Sequence, residues 1–384
     1  MGVLVAALAG VIGGVFCALV PGLHTNLVAA AILFLPLDVL SAGVFVCALG
    51  SARSVADAVP SVFLGASDDA LALHPAQRMA RRGFGLLAVK CSVLGSLGGL
   101  CLAVLLVPVM MLVFPVVFEL AQPVLFWVLL GAIIVLIFQE KHCVRALVWF
   151  LVCGVFGVVA LDSVREPLFP LLSGMFGGSG LLLGMLSGVG LPVQAFRDRK
   201  VPLRVWGVPV GLGVLAGAVL TVLPGLGASQ AAALVQSRKI GVRSFLALTG
   251  ALGTIDLVIS LVVFSVLGRS RSGAIVAIEV LFGNVDVQTL CALLGVCVFA
   301  GGVSVALSLW LARGYARLAR RVDMVVVSGC VLGLLCVGSR VVSGGLGTVV
   351  FVIAVALGVC GPVLRVSRSL GMGVLLVPTL AWLW

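Results

Sequence analysis

Charged side chains are scarce in this chain. Asp, Glu, Lys and Arg make up 10% of its 384 residues, and none occurs between Met1 and Leu37. Soluble domains carry about a quarter, so the composition excludes one. The three histidines leave little material for catalysis. Eleven cysteines form no CxxC pair and lie mostly in apolar runs, where they read as small packing residues and not as a disulfide framework. There is no P-loop, HExxH, GxSxG or zinc-type cysteine-histidine spacing, which removes the common nucleotide-binding, metalloprotease and serine-hydrolase signatures. The net charge of +11 is scattered over short loops. No basic domain for nucleic acid results, and membrane topology explains the charge better.

What fills the chain instead is apolar: 62% of residues, with a mean hydropathy of +1.34. Stretches with little or no charge run through 1–37, 91–118, 120–139, 146–161, 168–196, 205–237, 287–312, 324–339, 341–364 and 369–384. A span needs about 20 residues, so these predict an all-α polytopic membrane protein with about ten transmembrane helices, multi-pass in the cell membrane. The opening stretch has no basic n-region and exceeds a signal's apolar core, so it is expected to be a span.

One stretch breaks in its middle. "LVPGLHTNLVAAA" (19–31) interrupts apolar sequence with Pro21, Gly22 and Leu23, then shows His24, Thr25 and Asn26. "LPGLGASQAAALVQ" (223–236) repeats the motif 203 residues later, with Pro224, Gly225, Leu226, Gly227, Ala228, Ser229 and Gln230. The offset persists without a gap. It aligns Ala48-Leu49-Gly50 with Ala251-Leu252-Gly253, Leu64-Gly65 with Leu267-Gly268, and Ser67 with Ser270. Two halves are therefore expected, 1–200 and 201–384.

Arg and Lys suggest how the halves are oriented. The uncharged stretch 205–237 is too long for one upright span and is flanked by basic loops at both ends. A re-entrant hairpin with Pro224 and Gly225 at its tip explains both facts, because its legs enter and leave on one side. Alternating the remaining spans puts loops 67–90, 140–145, 197–204, 238–243, 313–321 and 365–368 inside, with 19 of the 24 Lys and Arg. Arg165, Arg269, Arg271 and Arg340 fall outside, as the positive-inside rule expects. Loop 67–90 is then inside and its repeat partner 270–287 outside. The halves would be an inverted internal repeat carrying two re-entrant hairpins, as in secondary transporters.

Only Arg53 stays within the membrane. It lies in "GSARSVADAVPS" (50–61), which interrupts a span with Asp57, Pro60 and Ser61; the matching "GTIDLVIS" (253–260) supplies Thr254, Asp256 and Ser260. Arg53 and Asp57 share a helix face at a spacing of four. Charge at that depth is costly and marks functional candidates, although a pair that merely locks two helices is the plainer reading. Asp256 has no basic neighbour in sequence and suits a cation or proton. At the tips, Pro and Gly stop one helix and leave the next with free N–H groups that attract anions. The substrate-binding candidates are thus Pro21 to Asn26, Arg53, Ser61, Pro224 to Gln230, Thr254 and Ser260, with Asp57 and Asp256 as ion-coupling residues. His74 and His142 are expected in solvated loops. The glycines of "GMFGGSG" and "GSLGGLCLAV" suit close helix packing more than phosphate binding.

"PGLHTNLVAA", "ADAVPSVFLGASDDALAL", "GSLGGL", "LPGLGASQAAAL" and "RSGAIVAI" together resemble the archaeal branch of the TctA family, the large membrane permease subunits of tripartite tricarboxylate transporters. The chain departs from the family's Asn-rich pattern at Gly253 to Asp256. The resemblance implies an ion-driven carrier for carboxylates such as citrate, using Na⁺ or H⁺ and no other cofactor. It also implies a small membrane subunit and an extracytoplasmic receptor as partners, or a stand-alone protein as in members of this branch, compatible with a homo-oligomer. Two other readings are an intramembrane enzyme with His24 and Asp57 as a base pair, and a membrane scaffold without a substrate site.

Overall fold

The computed structural model describes residues 2–19, 25–34, 36–63, 70–186, 192–196, 200–220, 240–270, 272–318 and 324–383. Among these, all regular structure is helical, and nine helical segments are long and apolar enough to cross a membrane. In chain order the elements are α1 (Gly2–Leu19), α2 (Thr25–Ile32), α3 (Val39–Ala56), α4 (Ala58–Phe63), α5 (Ala70–Ala80), α6 (Gly85–Leu105), α7 (Val107–Ala121), α8 (Leu125–Phe138) and α9 (Cys143–Ser163). Then come α10 (Leu168–Leu172), a π-helical turn (Ser173–Gly178), α11 (Ser179–Leu186), α12 (Leu203–Leu220), α13 (Val242–Leu267), α14 (Gly273–Phe282), α15 (Val287–Leu318), α16 (Met324–Val363) and α17 (Gly373–Leu383). In lipid only such internally hydrogen-bonded helices satisfy the backbone. Large side chains pointing outward, Leu112 at 77% exposure among them, are what a hydrocarbon solvent accepts.

Backbone chemistry moves several boundaries away from those that charge suggests. The stretch 91–118 does not form one span: α6 stops at Leu105, α7 opens with Pro108 in its first turn, and a short 3₁₀ turn holding Pro123 separates α7 from α8. Proline removes a helical donor, which absence of charge cannot report. Stretches 324–339 and 341–364 form one element, α16, whose break falls at Gly344 (φ 72°, ψ −165°) and not at Arg340. Arg340 is exposed on the helix, where a long side chain can carry its charge outward. The glycines of 174–178 pack against α16: a Cβ on Gly174 would meet the Phe351 carbonyl at 2.7 Å, and one on Gly178 would meet Val355 at 2.7 Å.

The 203-residue separation recurs in the packing. Val39 opens α3 and Val242 opens α13. A Cβ on Gly10 would meet the Phe45 carbonyl at 2.6 Å and Ala48 at 2.8 Å; one on Gly213 would meet the Leu248 carbonyl at 3.2 Å and Ala251 at 3.1 Å. Each pair of positions is 203 apart. Glycine here lets α1 lie backbone to backbone on α3, and α12 on α13. The middle spans then cross over: α3 packs on α15, and α13 packs on α6. Ser51 Oγ donates to the Cys297 carbonyl (2.7 Å), Ser304 Oγ to the Ala52 carbonyl (2.8 Å) and Ser96 Oγ to the Gly250 carbonyl (3.1 Å), stitching these crossings with hydrogen bonds.

Candidate functional site

The polar residues of 50–61 sit on the most enclosed helix of the bundle. α3 is crossed by α1 at Gly14, where an added Cβ would lie 3.0 Å from the Arg53 nitrogen, and by α15 through Ser304 and Cys297. On a third side, a Cβ on Gly50 would meet Leu257 of α13 at 3.0 Å and the Thr25 methyl at 3.6 Å. Thr25 of α2 thus lies against α3 near its contact with α13, and is buried. Three chain segments far apart in sequence meet at this node.

Arg53 is half-buried, with its Nε enclosed. One turn on, Asp57 caps α3, its N–H donating to the Arg53 carbonyl at 2.9 Å. Pro60 has no N–H, so the Ala56 carbonyl loses its usual helical donor, and α4 starts anew at Ala58. Ser61 holds the acid in place: its hydroxyl donates to the Asp57 carbonyl at 2.5 Å and to Oδ2 at 3.1 Å.

The second irregular span behaves differently. α13 runs unbroken through "GTIDLVIS", because Thr254 and Ser260 are the residue types a helix absorbs. Thr254 Oγ1 returns its proton to the Gly250 carbonyl at 3.0 Å, and both Thr254 and Ser260 are buried. Gly253 and Asp256, in contrast, are exposed near the middle of the span, and a Cβ on Gly253 would meet nothing within 4 Å. Among the described residues, then, nothing packs against Gly253 at the middle of α13. Asp256 is 203 residues from Arg53 and Gly253 is 203 from Gly50, so a carboxylate and a guanidinium hold corresponding places in the two irregular spans.

Of the remaining expected site residues, Pro21, Gly22, Leu23, His24 and Pro224 to Gln230 lie outside the described residues. Asn26 is on α2, and nothing is described of its side chain. His142 is exposed ahead of α9, while His74 falls on α5 within a segment read from sequence as a loop. No group of three His, Cys, Asp or Glu that could hold a metal ion occurs among the described residues.

Two residues escaped the sequence reading. Ser308 lies on α15 one turn past Ser304, fully buried, with no hydrogen-bond partner for its hydroxyl. α3 and α15 run parallel here, since Ser304 meets Ala52 and Tyr315 stacks on Phe63 at 6.2 Å. That places Ser308 opposite the end of α3, where the Ala56 carbonyl has lost its donor. Two serines one turn apart in an apolar span were the available signal. Gln194 is the other: it is 1% exposed, its Oε1 accepts from Gly85 N (2.8 Å), and its Nε2 donates to the carbonyls of Ala80 (2.9 Å) and Pro192 (2.8 Å). It sews segment 192–196 into the corner between α5 and α6.

The arrangement pairs an Arg, which recognises carboxylates in a bidentate way, with acids and hydroxyls suited to a hard cation or a proton. A family described as "Tripartite tricarboxylate transporter TctA family" matches residues 4–373. An uncharacterised protein of the archaeon Methanocaldococcus jannaschii is 28% identical over 295 residues, 73% of this chain and 73% of that protein. No solved structure matches the chain.

Proposed function

The chain belongs to the tripartite tricarboxylate transporter TctA family, and from that premise we propose that it is a secondary active permease moving a small di- or tricarboxylate, driven by a Na⁺ or H⁺ gradient. The family is one of transporters, so the chain is a multi-pass membrane transport protein and not an enzyme. Members normally work with a small membrane subunit and a periplasmic receptor, and whether this chain needs both belongs to the proposal.

The observation that carries the reading is the placement of Arg53 and Asp256, a guanidinium and a carboxylate, 203 residues apart on α3 and α13, two helices that meet at Gly50 and Leu257. Insertion of Arg or Asp at a span's centre costs about 2.5–3.5 kcal/mol, which a substrate and a coupling ion would offset. Arg53 would take a substrate carboxylate, with Thr25 of α2 lying one turn away beside Gly50. Asp57, held by Ser61, and Asp256 would bind the coupling ion; for Na⁺, the Ser308 hydroxyl would add an oxygen ligand. If the halves are inverted, rocking one against the other would expose this site to each side in turn.

Counterflow of labelled citrate, succinate and other carboxylates in proteoliposomes, with and without Na⁺ and pH gradients, tests the reading. Uptake by the native chain, lost in Arg53→Gln and made insensitive to the gradient in Asp256→Asn, is the expected result. Absence of uptake under every gradient, with receptor and small subunit supplied, would sink it. Wild-type uptake in both variants would favour a buried lock at Arg53.

A further inference from the structure

The corner where α8 meets α9 and α16 meets α17 carries a cationic surface with no role in the proposed transport site. Lys141 lies on the 139–142 connection and Arg145 in the first turn of α9; Arg365 follows the end of α16, and Arg368 opens the short 3₁₀ turn before α17. The two connections are held together: the Glu140 carboxylate accepts from Ser367 N at 3.1 Å. One turn after Arg145, the Trp149 ring covers Gly361, where an added Cβ would meet it at 2.8 Å. Gly361 is itself one turn before Arg365, so the two arginines flank the same helix crossing.

Arg365 is the informative residue. It ends α16 in the left-handed region (φ 60°), with Val366 N bonded to the Gly361 carbonyl and Arg365 N to the Pro362 carbonyl, both at 3.0 Å. That double-bonded helix end is ordinarily built on glycine, which has no Cβ to strain. Glycine does occupy the other left-handed positions among the described residues: Gly83, Gly268, Gly283 and Gly344. An arginine at a strained backbone position, with its side chain exposed, implies a use for the side chain.

The surroundings say which use. Exposed Phe138 (72%), Val144 (76%) and Val363 (71%) border the cations, and bare apolar side chains of that size face acyl chains. Arg368 is turned inward. It donates to the Phe176 carbonyl (2.7 Å) and to Ser179 Oγ, at the π-helical turn. The loop is thus anchored from below before any ligand arrives, which lowers the ordering cost of binding. Cations ringing an apolar face at the end of a helix pair match an anionic headgroup above its own acyl chains.

We propose that this corner binds an anionic phospholipid, with Arg365, Arg145 and Lys141 on its phosphate and the apolar rim against its acyl chains. The proposal is independent of substrate and coupling ion. The test is native mass spectrometry of the full chain released from nanodiscs of phosphatidylglycerol with phosphatidylcholine, for the native chain, Arg365→Gly, and Lys141→Gln with Arg145→Gln. The expected result is at least a fivefold loss of retained phosphatidylglycerol in both variants, no change in phosphatidylcholine, and an unchanged or raised melting temperature for Arg365→Gly. Equal retention in either variant overturns the proposal, as does displacement of the lipid by millimolar inorganic phosphate, which would mark a solute site. Should Arg365→Gly melt below the native chain, the Lys141/Arg145 variant decides.

Discussion

Two glycines in corresponding positions separate packing from access. Gly50 is filled from outside by Leu257 and Thr25, whereas among the described residues nothing packs against Gly253. Alanine in a helix interior is favoured over glycine by up to about 1 kcal/mol. Gly253→Ala should therefore keep or raise the melting temperature while slowing counterflow, and Gly50→Ala should lower the melting temperature because Leu257 at 3.0 Å must give way. Equal melting shifts in the two variants would contradict this difference in packing. A second residue-scale expectation concerns acid. Hydrogen bonds from Ser41, its backbone N–H foremost, hold the Asp38 carboxyl below its ordinary range; those from Thr289, the side chain foremost, do the same for Asp286. Burial instead raises the Glu140 carboxyl. Lowered acids contribute stability above the ordinary Asp value of about 3.9 that disappears as pH falls through their folded values; the raised acid contributes the opposite trend. Asparagine also caps helices, so Asp38→Asn with Asp286→Asn should match the native melting midpoint at neutral pH and lose less of it on acidification. A steeper acid loss in the double variant would contradict this assignment.

Among the elements, the segment 192–196 and the irregular helices show which ends are fixed by hydrogen bonds. Gln194 supplies a donor and an acceptor to the corner between α5 and α6, and Ala195 N adds a bond to the Gly83 carbonyl at 2.8 Å. Removing it leaves buried backbone groups unsatisfied, at about 1–3 kcal/mol each. Gln194→Ala should lower the thermal midpoint measurably, and Gln194→Glu should not rescue it, because the Nε2 donor is lost. An unchanged midpoint for Gln194→Ala would mean that water replaces the side chain. Nothing in the run "LPVQAF" distinguishes this glutamine from a solvated one, since its partners lie more than a hundred residues away. Pro60, in contrast, was a legible break. α3 and α4 part next to it, whereas "GTIDLVIS" contains no proline or other helix breaker at its centre and remains helical.

For the whole molecule, the inverted arrangement of the halves is the central proposal left to test, and side-specific labelling addresses it. On a background lacking reactive cysteines, Arg145→Cys and Arg313→Cys should react with an impermeant maleimide from one face of the membrane, and Arg165→Cys and Arg269→Cys from the other. Labelling of Arg269→Cys from the same face as Arg145→Cys would refute the layout. The crossed packing, with α3 on α15 and α13 on α6, joins segments from the two ends of the sequence. Rocking one part against another would have to pass through these serine-stitched crossings, which makes Ser51 and Ser304 natural sites for locking the bundle.

The sequence by itself determined the helical class, the membrane as solvent and the family. Those depend on composition and spacing along the chain, and an apolar backbone in lipid has few alternatives to a helix. Tertiary structure alone decided that Gly50 is packed by Leu257 and Thr25, that Arg368 turns inward to a π-helical turn, that Ser308 is buried opposite the end of α3, and that Arg365 occupies a left-handed position. Each of these depends on which distant segment packs alongside, and a side chain's use in a membrane bundle is fixed by what its neighbours leave it to contact.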